Sequence, residues 1–555
     1  MLAARLRPVG AWLRRPPARV WIVVGACLAI PLFFTVYTGQ VWEDFFITYR
    51  YSENLARGLG LVYSPGEHVH GFTSPLNTLL PALFAWVTRA RDYVVPLWLF
   101  RFVSLGGLGL ALAAATTLLV RAAAPSRAAG FLALAFPLIA VLEIKTTAFT
   151  MNGQETGLVF AFLIPAFALA VTGWPAHARL GGFLWAGLLY ARPDACVYVG
   201  AMAVAAVAFE TGSRQALLRS LAVSGLICAA LYLPWLLFTW TYFGSPVPHT
   251  IVAKYGIETF RDPVYGAAAP LMIGLIKAPL AICWVFSPIY DWLDAGPGCW
   301  PAWMHACAIF LELAAALYWL LPTRDRLGRM ASLVACLLLA YQIYVLLVTQ
   351  FSPWYYPPLA FLSLLALVSA AVSLVRRLGA GWAAYGGAAL AAGGLGAFLF
   401  FIFSSSLFPL RFDQQVIEWG NRRAIGLWLK DHVRPGEAVY LEPLGYIGYF
   451  SQCKMLDWPG LVSPEVVAAR RKLNPSTGYN WLPVAEALRP AWIVARAADA
   501  QSLQHSATLG PQYELAHVFD VTKQVDPVAG RPGMRMVYPE VVYGVFHRKA
   551  VGTGP

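Results

Sequence analysis

Apolar stretches separated by short polar loops fill the chain from residue 19 to residue 406. The apolar runs at 21–36, 108–120 and 330–348 are typical of transmembrane helices or of large parts of them. We therefore expect a polytopic membrane protein built as an all-α bundle. The pattern predicts eleven membrane-spanning helices, at 19–38, 94–120, 127–143, 155–173, 179–191, 195–210, 217–242, 302–321, 329–350, 354–375 and 382–406.

The segment 264–293 does not fit this simple alternation. It is apolar enough to cross a membrane, but it also contains Lys277 and several prolines and glycines. A crossing here would move the basic loop around Arg324 and Arg329 to the outer side, against the usual distribution of positive charge. We interpret the segment as re-entrant or interfacial, and the sequence leaves open whether it crosses.

The pattern changes after residue 406, where polar and apolar positions mix as they do in a soluble domain. Residues 414–432 are predicted to be a helix, and 438–441, 491–495 and 541–546 are predicted to be strands. The turn signal Arg434-Pro435-Gly436-Glu437 separates the helix from the first strand. The predicted organisation is a transmembrane domain of about eleven helices at 1–406, with its first outer loop at 39–93, and a small α/β domain at 407–555.

Charge predicts the orientation of the chain. Only 12% of the 555 residues are charged, yet the formal net charge is +13. Lys and Arg accumulate in the cytoplasmic loops of membrane proteins, so this excess requires no nucleic acid partner. We therefore expect the N-terminus to lie in the cytoplasm. A cleaved signal peptide is the alternative, but the first apolar run is long and residues 37–40 make a poor cleavage site. With eleven crossings, every arginine-rich loop is cytoplasmic: Arg121 with Arg127, Arg179, Arg214 with Arg219, Arg324 with Arg326 and Arg329, and Arg376 with Arg377.

Cysteine and histidine give no sign of a metal centre. The sequence has eight cysteines and no CxxC pair, and most of the cysteines lie in or beside apolar segments, where Cys behaves as a small hydrophobe. His68 and His70 are two residues apart, but a metal site needs further ligands. We predict neither a disulfide framework nor a metal cofactor.

The residues that carry chemistry fall in the predicted outer loops and are expected to converge. Glu43 and Asp44 stand where the chain leaves the first span, and polar groups at a membrane are candidates for function because they are costly to hold there. Carboxylates, a cation and aromatic rings on one face can accept a proton, hold a phosphate and stack on a sugar. The other outer candidates are Arg50, Tyr51, Glu155, Arg192, Asp194, His249, Lys254, Trp354 and Tyr355.

Each of these signals also has a structural explanation. Acids favour helix N-termini, so Glu43 and Asp44 fit a helix start. Arg192 and Asp194 fit a turn with an internal ion pair, and Lys254 fits a side chain that reaches from the apolar region to the interface. Trp354 and Tyr355 fit an aromatic belt, and a lone His249 fits a structural role. The residues alone are therefore consistent with an enzyme or with a transporter.

Five elements, in order along the chain, resemble GT-C-type membrane glycosyltransferases, most closely the subgroup of the mycobacterial terminal β-arabinofuranosyltransferase. The first outer loop carries the longest of them, and the others are similar to short motifs of that group. The matching residues are Glu43-Asp44-Phe-Phe-Ile-Thr-Tyr-Arg-Tyr51 with 54–63 and 65–76, Gly153-Gln-Glu155-Thr, Ala191-Arg-Pro-Asp194, 243–254 with Pro248-His-Thr250 and Ala253-Lys254, and Pro353-Trp-Tyr-Tyr356.

The resemblance implies a GT-C fold and an inverting transfer of a sugar from a polyprenyl-phosphate donor to a glycan or glycolipid acceptor. It implies that Asp44 is the base and that Glu43 assists it. Lys254, Arg192 and His249 are then expected to hold the donor phosphate, and no metal is required.

The remaining candidates, Arg50, Tyr51, Glu155, Asp194, Trp354 and Tyr355, are then expected to bind substrate. The enzyme would lie in the bacterial inner membrane, with its site and its C-terminal domain on the extracytoplasmic side. The alternative is a transporter or flippase of a lipid-linked sugar, although transporters often show internal repeats and none is evident here. The sequence does not specify the sugar, the acceptor or the oligomeric state.

Overall fold

The computed structural model of the chain describes residues 16–254, 269–291, 293–348, 352–379, 381–473 and 480–549. Helices dominate the described residues up to 432. The helices up to residue 254 are α1 Ala18–Cys27, α2 Ala29–Thr38, α3 Glu43–Ala56, α4 Pro75–Thr88, α5 Val94–Ala123, α6 Arg127–Leu142, α7 Ile144–Met151, α8 Thr156–Thr172, α9 Ala178–Ala191, α10 Cys196–Ala208, α11 Arg214–Phe243 and α12 His249–Lys254. They continue with α13 Ala269–Cys283, α14 Ala302–Leu317, α15 Arg326–Val348, α16 Pro357–Arg377, α17 Trp382–Phe412 and, after a π-helical stretch at Asp413–Arg423, α18 Ala424–His432.

Among the described residues, seven helices are long and apolar enough to cross a membrane. An eighth is obtained if α6 and α7, which meet at a bend of 61°, are taken as one broken span. The bend falls at Glu143, whose carboxylate caps α7 by accepting from the N–H groups of Lys145 and Thr146 at 3.0 and 2.6 Å. The described helices therefore define a polytopic membrane fold.

The predicted count of about eleven spans is not confirmed. Every predicted span coincides with a helix, but those at 127–143, 155–173, 179–191 and 195–210 coincide with helices of 16, 17, 14 and 13 residues. These lengths are below the roughly 20 residues that a bilayer requires. Part of the ambiguous segment 264–293 is the 15-residue helix α13, and its residues 264–268 and 292 lie outside the described residues.

Close helix packing builds the core of the membrane domain. Gly107 of α5 lies against Gly157 of α8, where any Cβ at Gly107 would overlap the Gly157 backbone. Small residues allow helix axes to approach in this way when packing must replace the hydrophobic effect as the driving force. The large apolar cluster that results extends from α1 to α17.

A small α/β unit follows the helices, with a five-stranded sheet in the order β2-β1-β3-β5-β4. The strands β1 Ala438–Leu441, β3 Trp492–Arg496 and β5 Val542–Arg548 agree with the three predicted strands. The sheet pairs β1 in parallel with β2 and β3, while β5 is antiparallel to β3 and β4. The sequence pattern missed β2 Lys454–Asp457 and β4 Tyr513–Asp520, and the helices of this unit are α19 Gly445–Ser451, α20 Pro464–Lys472, α21 Trp481–Leu488, α22 Ala497–His505 and α23 Thr522–Val525.

The α/β unit is joined firmly to the membrane domain. The helix that leaves the membrane continues without interruption from Trp382 to His432, through the predicted domain boundary at 406. Arg50 of α3 is buried and donates to the carbonyl oxygens of Gly448 and Cys453 at 2.8 and 3.1 Å. These contacts place one edge of the sheet directly beside α3.

Candidate active site

The first turn of α3 holds two carboxylates where the chain leaves its first span. Because α3 begins at Glu43, both Glu43 and Asp44 lie at a helix N-terminus, where negative charge is favoured. The Trp42 N–H donates to the Asn152 carbonyl at 2.8 Å, which fixes the backbone just before them. The two acids therefore have a defined position against the loop between α7 and α8.

Two cavities meet at Asp44. The Lys254 cavity has a volume of about 460 Å³, and its polar lining includes Asp44, Gln154, Glu155, Arg192, Asp194 and Lys254. The Glu43 cavity has a volume of about 570 Å³, and its polar lining includes Gln40, Glu43, Asp44, Glu418, Arg422 and Glu540. Asp44 and Trp354 line both cavities, so the Asp44 carboxylate is accessible to a group in either one.

Arg192 is held by two carboxylates in the Lys254 cavity. Its guanidinium makes paired contacts of 3.0 Å with both oxygens of Asp194 and one of 3.2 Å with Glu155. The guanidinium also lies 4.1 Å above the ring of Tyr355 and donates to the Trp354 carbonyl. The charge of Arg192 is thus compensated within the protein, and its fork-shaped geometry braces this wall of the cavity.

Lys254, the last residue of α12, is placed differently. Its Nζ lies 5.6 Å from the centre of the Trp354 ring, and among the described residues no ion pair includes it. Arg470 of the α/β unit donates to the carbonyl oxygens of Ala253 and Pro459 at 2.8 and 2.9 Å, which fixes the end of α12. Lys254 therefore lines the cavity without a direct ion-pair partner among the described residues, and the carboxylates of Asp44 and Glu155 lie within electrostatic range of its charge.

A buried ion cluster centred on Arg422 builds the wall of the Glu43 cavity. The guanidinium of Arg422 lies 2.8 Å from carboxylate oxygens of Glu43, Glu418 and Glu540, and the side chain is only 9% exposed. Gly445 N–H donates to the other oxygen of Glu43 at 3.0 Å. A side chain at Gly445 would overlap the Glu43 backbone, so the residue must be glycine for this approach. The cluster ties α3, the π-helical stretch and the α/β unit together.

The two adjacent acids have different electrostatic surroundings. Burial raises the pKa of Asp44; the positive charge of Lys254 partly offsets this and Glu155 adds to it. Burial also raises the pKa of Glu43, against the effect of Arg422 and with that of Asp44. Glu43 is engaged by Arg422 and Gly445, whereas no described residue hydrogen-bonds to the Asp44 carboxylate. Asp44 is thus the acid that is available to accept a proton from a bound molecule.

The structure brings most of the predicted site residues together, on elements far apart in sequence. Their loops all meet on one side of the bundle, around the two cavities. The residues that line at least one cavity are Glu43, Asp44, Glu155, Arg192, Asp194, Lys254, Trp354 and Tyr355.

Three predicted site residues are not among those that line the two cavities. Arg50 joins α3 to the α/β unit, as described above. The hydroxyl of Tyr51 donates to the Val69 carbonyl at 2.8 Å and accepts from the Gly71 N–H, which shapes the first outer loop. His249 starts α12, and its ring lies beside the loop at 457–460. For Arg50 and Tyr51, these contacts are structural.

The sequence interpretation missed the polar residues contributed by the π-helical stretch and the α/β unit. Glu418 and Arg422 are four residues apart just beyond the last predicted span, a density of charge like the one that marked Glu43 and Asp44. That signal was available in the sequence. Arg496 and Glu540 could not have been found in this way, because strands and loops bring them to the site. No group of three or more His, Cys, Asp or Glu residues placed to hold a metal occurs in the described ranges.

Comparison with known proteins gives partial matches in sequence. Residues 411–537 match a family described as a domain of unknown function (DUF8728). Over 229 residues the chain is 30% identical to the terminal beta-(1->2)-arabinofuranosyltransferase of Mycobacterium tuberculosis (strain ATCC 25618 / H37Rv). This match covers 38% of the chain and 34% of that relative, so the chain spans about a third of the length of the curated relative it matches.

Two crystal structures of ArnT from Cupriavidus metallidurans resemble the whole chain. The apo structure has a TM-score of 0.50 and 11% identity, with 99% of each chain covered. The structure bound to undecaprenyl phosphate has a TM-score of 0.47 and 12% identity, with 99% of this chain and 100% of that chain covered. The likeness to the apo structure defines the fold. Together with the partial sequence match, it confirms the resemblance to GT-C-type membrane glycosyltransferases.

Replacing Arg422 should destabilise the protein strongly. In Arg422→Met the carboxylates of Glu43, Glu418 and Glu540 lose their shared partner, and breaking a buried ion pair from one side typically costs about 3–5 kcal/mol. We expect a clearly lower apparent melting temperature in detergent. The matched control is Arg423→Met, which removes the neighbouring half-buried arginine that stacks on Trp419 and Phe450. Equal melting temperatures for the two variants would show that the Arg422 cluster does not stabilise the fold.

Proposed function

We propose that this protein is a membrane glycosyltransferase that moves a sugar from a polyprenyl-phosphate donor to a hydroxyl group of a cell-envelope glycan or glycolipid. The observation that carries the proposal is the position of Asp44, on the boundary of two cavities and within electrostatic range of Lys254, which has no ion-pair partner among the described residues. The likeness in fold and the partial match to an arabinofuranosyltransferase support the same chemistry. The sugar, whether a pentose or a hexose, is not specified by these observations.

The proposed reaction is a single displacement with inversion. The acceptor oxygen attacks the anomeric carbon, Asp44 takes the hydroxyl proton, and the bond from the anomeric carbon to the phosphate oxygen breaks. The electron pair of that bond leaves with the polyprenyl phosphate. This leaving group is already an anion, so it needs a nearby cation more than it needs a general acid.

Lys254 is the proposed cation for the donor phosphate. It faces the cavity that Asp44 also lines, and Arg470 fixes the backbone beside it. Arg192 is proposed to have a smaller effect on the phosphate, because Glu155 and Asp194 already compensate its charge. His249 does not line the cavity. Its proposed role in phosphate binding rests only on its position in α12, the helix that ends at Lys254.

The proposed site lies on the extracytoplasmic side of the bacterial inner membrane. Support comes from the convergence of the predicted outer loops around the two cavities, while the arginine-rich loops are expected in the cytoplasm. Alkaline phosphatase fused after Pro555 should therefore be active in intact cells. An inactive phosphatase fusion, together with a fluorescent cytoplasmic reporter at the same position, would reverse the assigned orientation.

Asp44→Asn should abolish turnover while leaving the protein folded. The amide has nearly the same shape but cannot accept the proton, and loss of a general base typically lowers the rate by roughly 10²- to 10⁴-fold. The measurement is transfer from a polyprenyl-phospho-sugar by purified protein, with Asp92→Asn as an exposed control in the same outer loop. Near-normal transfer by Asp44→Asn with loss in Glu43→Gln would instead make Glu43 the base. Transport of the lipid-linked sugar across vesicles, without any glycosylated product, would contradict the proposed enzyme.

The pH profile of transfer should reflect the environment of Asp44. Because burial raises the pKa of Asp44, the carboxylate becomes protonated at a higher pH than a free aspartate, whose pKa is about 3.9. Activity should be present above this raised pKa and should be lost as the pH falls through it. In Lys254→Met the acid limb should move to higher pH, because the charge that opposes the rise is gone. An acid limb at the value of free aspartate would contradict the role of Asp44 as base.

Lys254→Met should lower kcat/KM for the donor. The loss should correspond to about 2–4 kcal/mol of transition-state stabilisation, the usual range for a lost electrostatic contact in a preorganised site. Methionine keeps the apolar stem and removes the charge, and Lys254→Arg should recover part of the loss because the charge survives. Titration with polyprenyl phosphate measures donor binding independently of turnover. Lys430→Met is the matched control, on the exposed face of α18. If Lys254→Met binds the phosphate as the wild type does, Lys254 does not hold it and Arg192 becomes the better candidate.

A further inference from the structure

We infer that the Glu43 cavity is the acceptor site and that it takes the hydroxyl groups of an uncharged glycan. This assignment rests on the proposed function, in which the donor phosphate occupies the Lys254 cavity. The two cavities share Asp44 and Trp354 but differ in charge and in the hydrogen-bonding groups that they offer. These differences identify which substrate fits each one.

Carboxylates predominate in the Glu43 cavity. Arg422 and Arg496 are already paired with carboxylates there, and Lys277 donates to the Leu346 carbonyl at 3.1 Å. An anionic ligand such as a phosphate or a uronic acid would meet an excess of like charge at short range, which is unfavourable. The ionisable residues of the lining are Glu43, Asp44, Asp413, Glu418, Glu442 and Glu540 against Lys277, Arg422 and Arg496.

Two buried acceptor atoms in this lining have no hydrogen-bond partner within the described part of the chain. These atoms are Gln40 Oε1 and Glu418 Oε2, on side chains that belong to residues only 4% and 7% exposed. The carboxylate and amide oxygens of the residues that line the cavity are hydrogen-bond acceptors, so the cavity favours a ligand that brings donors. Hydroxyl groups supply such donors without adding charge, which matches the uncharged sugar residues of a glycan.

The Lys254 cavity offers the complementary chemistry. Its carboxylates Glu155 and Asp194 are paired with Arg192, whereas Lys254 has no ion-pair partner among the described residues, and the Gln154 side chain belongs to the same lining. An ammonium group and an amide suit the oxygens of a phosphate. With the phosphate on this side and the hydroxyl groups on the other, the acceptor oxygen reaches the donor sugar beside Asp44.

Titration of purified protein in nanodiscs tests this assignment with two probes. The first probe is polyprenyl monophosphate, and the second is a panel of octyl glycosides of uncharged pentoses and hexoses, each matched with an octyl uronide. Gln40→Leu and Glu418→Gln should weaken binding of the uncharged glycoside by about tenfold, as expected for one lost hydrogen bond, and leave polyprenyl phosphate binding unchanged. Gln154→Leu should show the reverse pattern. Wild-type protein should bind the uncharged glycosides at least about tenfold more tightly than the uronides.

Three outcomes would overturn the acceptor assignment: no glycoside of the panel binds the wild type, uronides bind as tightly as uncharged glycosides, or Gln40→Leu weakens polyprenyl phosphate binding instead. Two variants are used because Glu418 also pairs with Arg422, whereas the side chain of Gln40 is unpaired among the described residues. If polyprenyl phosphate fails to bind the wild type, the proposed function fails. The glycoside titrations still decide the acceptor assignment in that case.

Discussion

The arrangement of the site depends on the ion cluster around Arg422. One guanidinium contacts Glu43 at the start of α3, Glu418 in the π-helical stretch and Glu540 beside the sheet, each at 2.8 Å. Isolated buried charges are expensive, so these groups are stable only as a set. The cluster therefore makes the membrane helices and the α/β unit one structure at this point, and it fixes Glu43 next to the proposed base.

A second arginine, Arg470 of the α/β unit, supports the other charged group of the proposed site. It donates one hydrogen bond to the carbonyl oxygen of Ala253, next to Lys254. Both the acid and the cation of the proposed reaction are thus supported by the unit that includes the matched domain of unknown function. The α/β unit therefore holds the residues proposed to be catalytic in position beside the membrane helices.

The difference in charged groups between the two cavities would orient the two substrates of the proposed reaction. Within the described part of the chain, Lys254 has no ion-pair partner in its cavity, whereas the three cations that line the Glu43 cavity are all engaged and carboxylates predominate there. A phosphate and a hydroxyl-bearing glycan would therefore occupy opposite sides of Asp44. In water such preferences would be weak, but inside a protein the lower effective dielectric strengthens them.

The sequence by itself determined the membrane class, the helices at the predicted spans, three of the five strands and the segments that carry Glu43, Asp44, Arg192 and Lys254. Apolar periodicity, turn residues and charge distribution are local signals, so they can be read along the chain. The number of spans was not determined, because helices of 13 to 17 residues give the same apolar signal as longer ones. Only the tertiary structure shows that Arg192 is paired with Glu155 and Asp194, that Arg50 and Tyr51 do not line the two cavities, and that Arg422, Arg496 and Glu540 line the Glu43 cavity. Those roles depend on distances between residues hundreds of positions apart, and no local pattern encodes them.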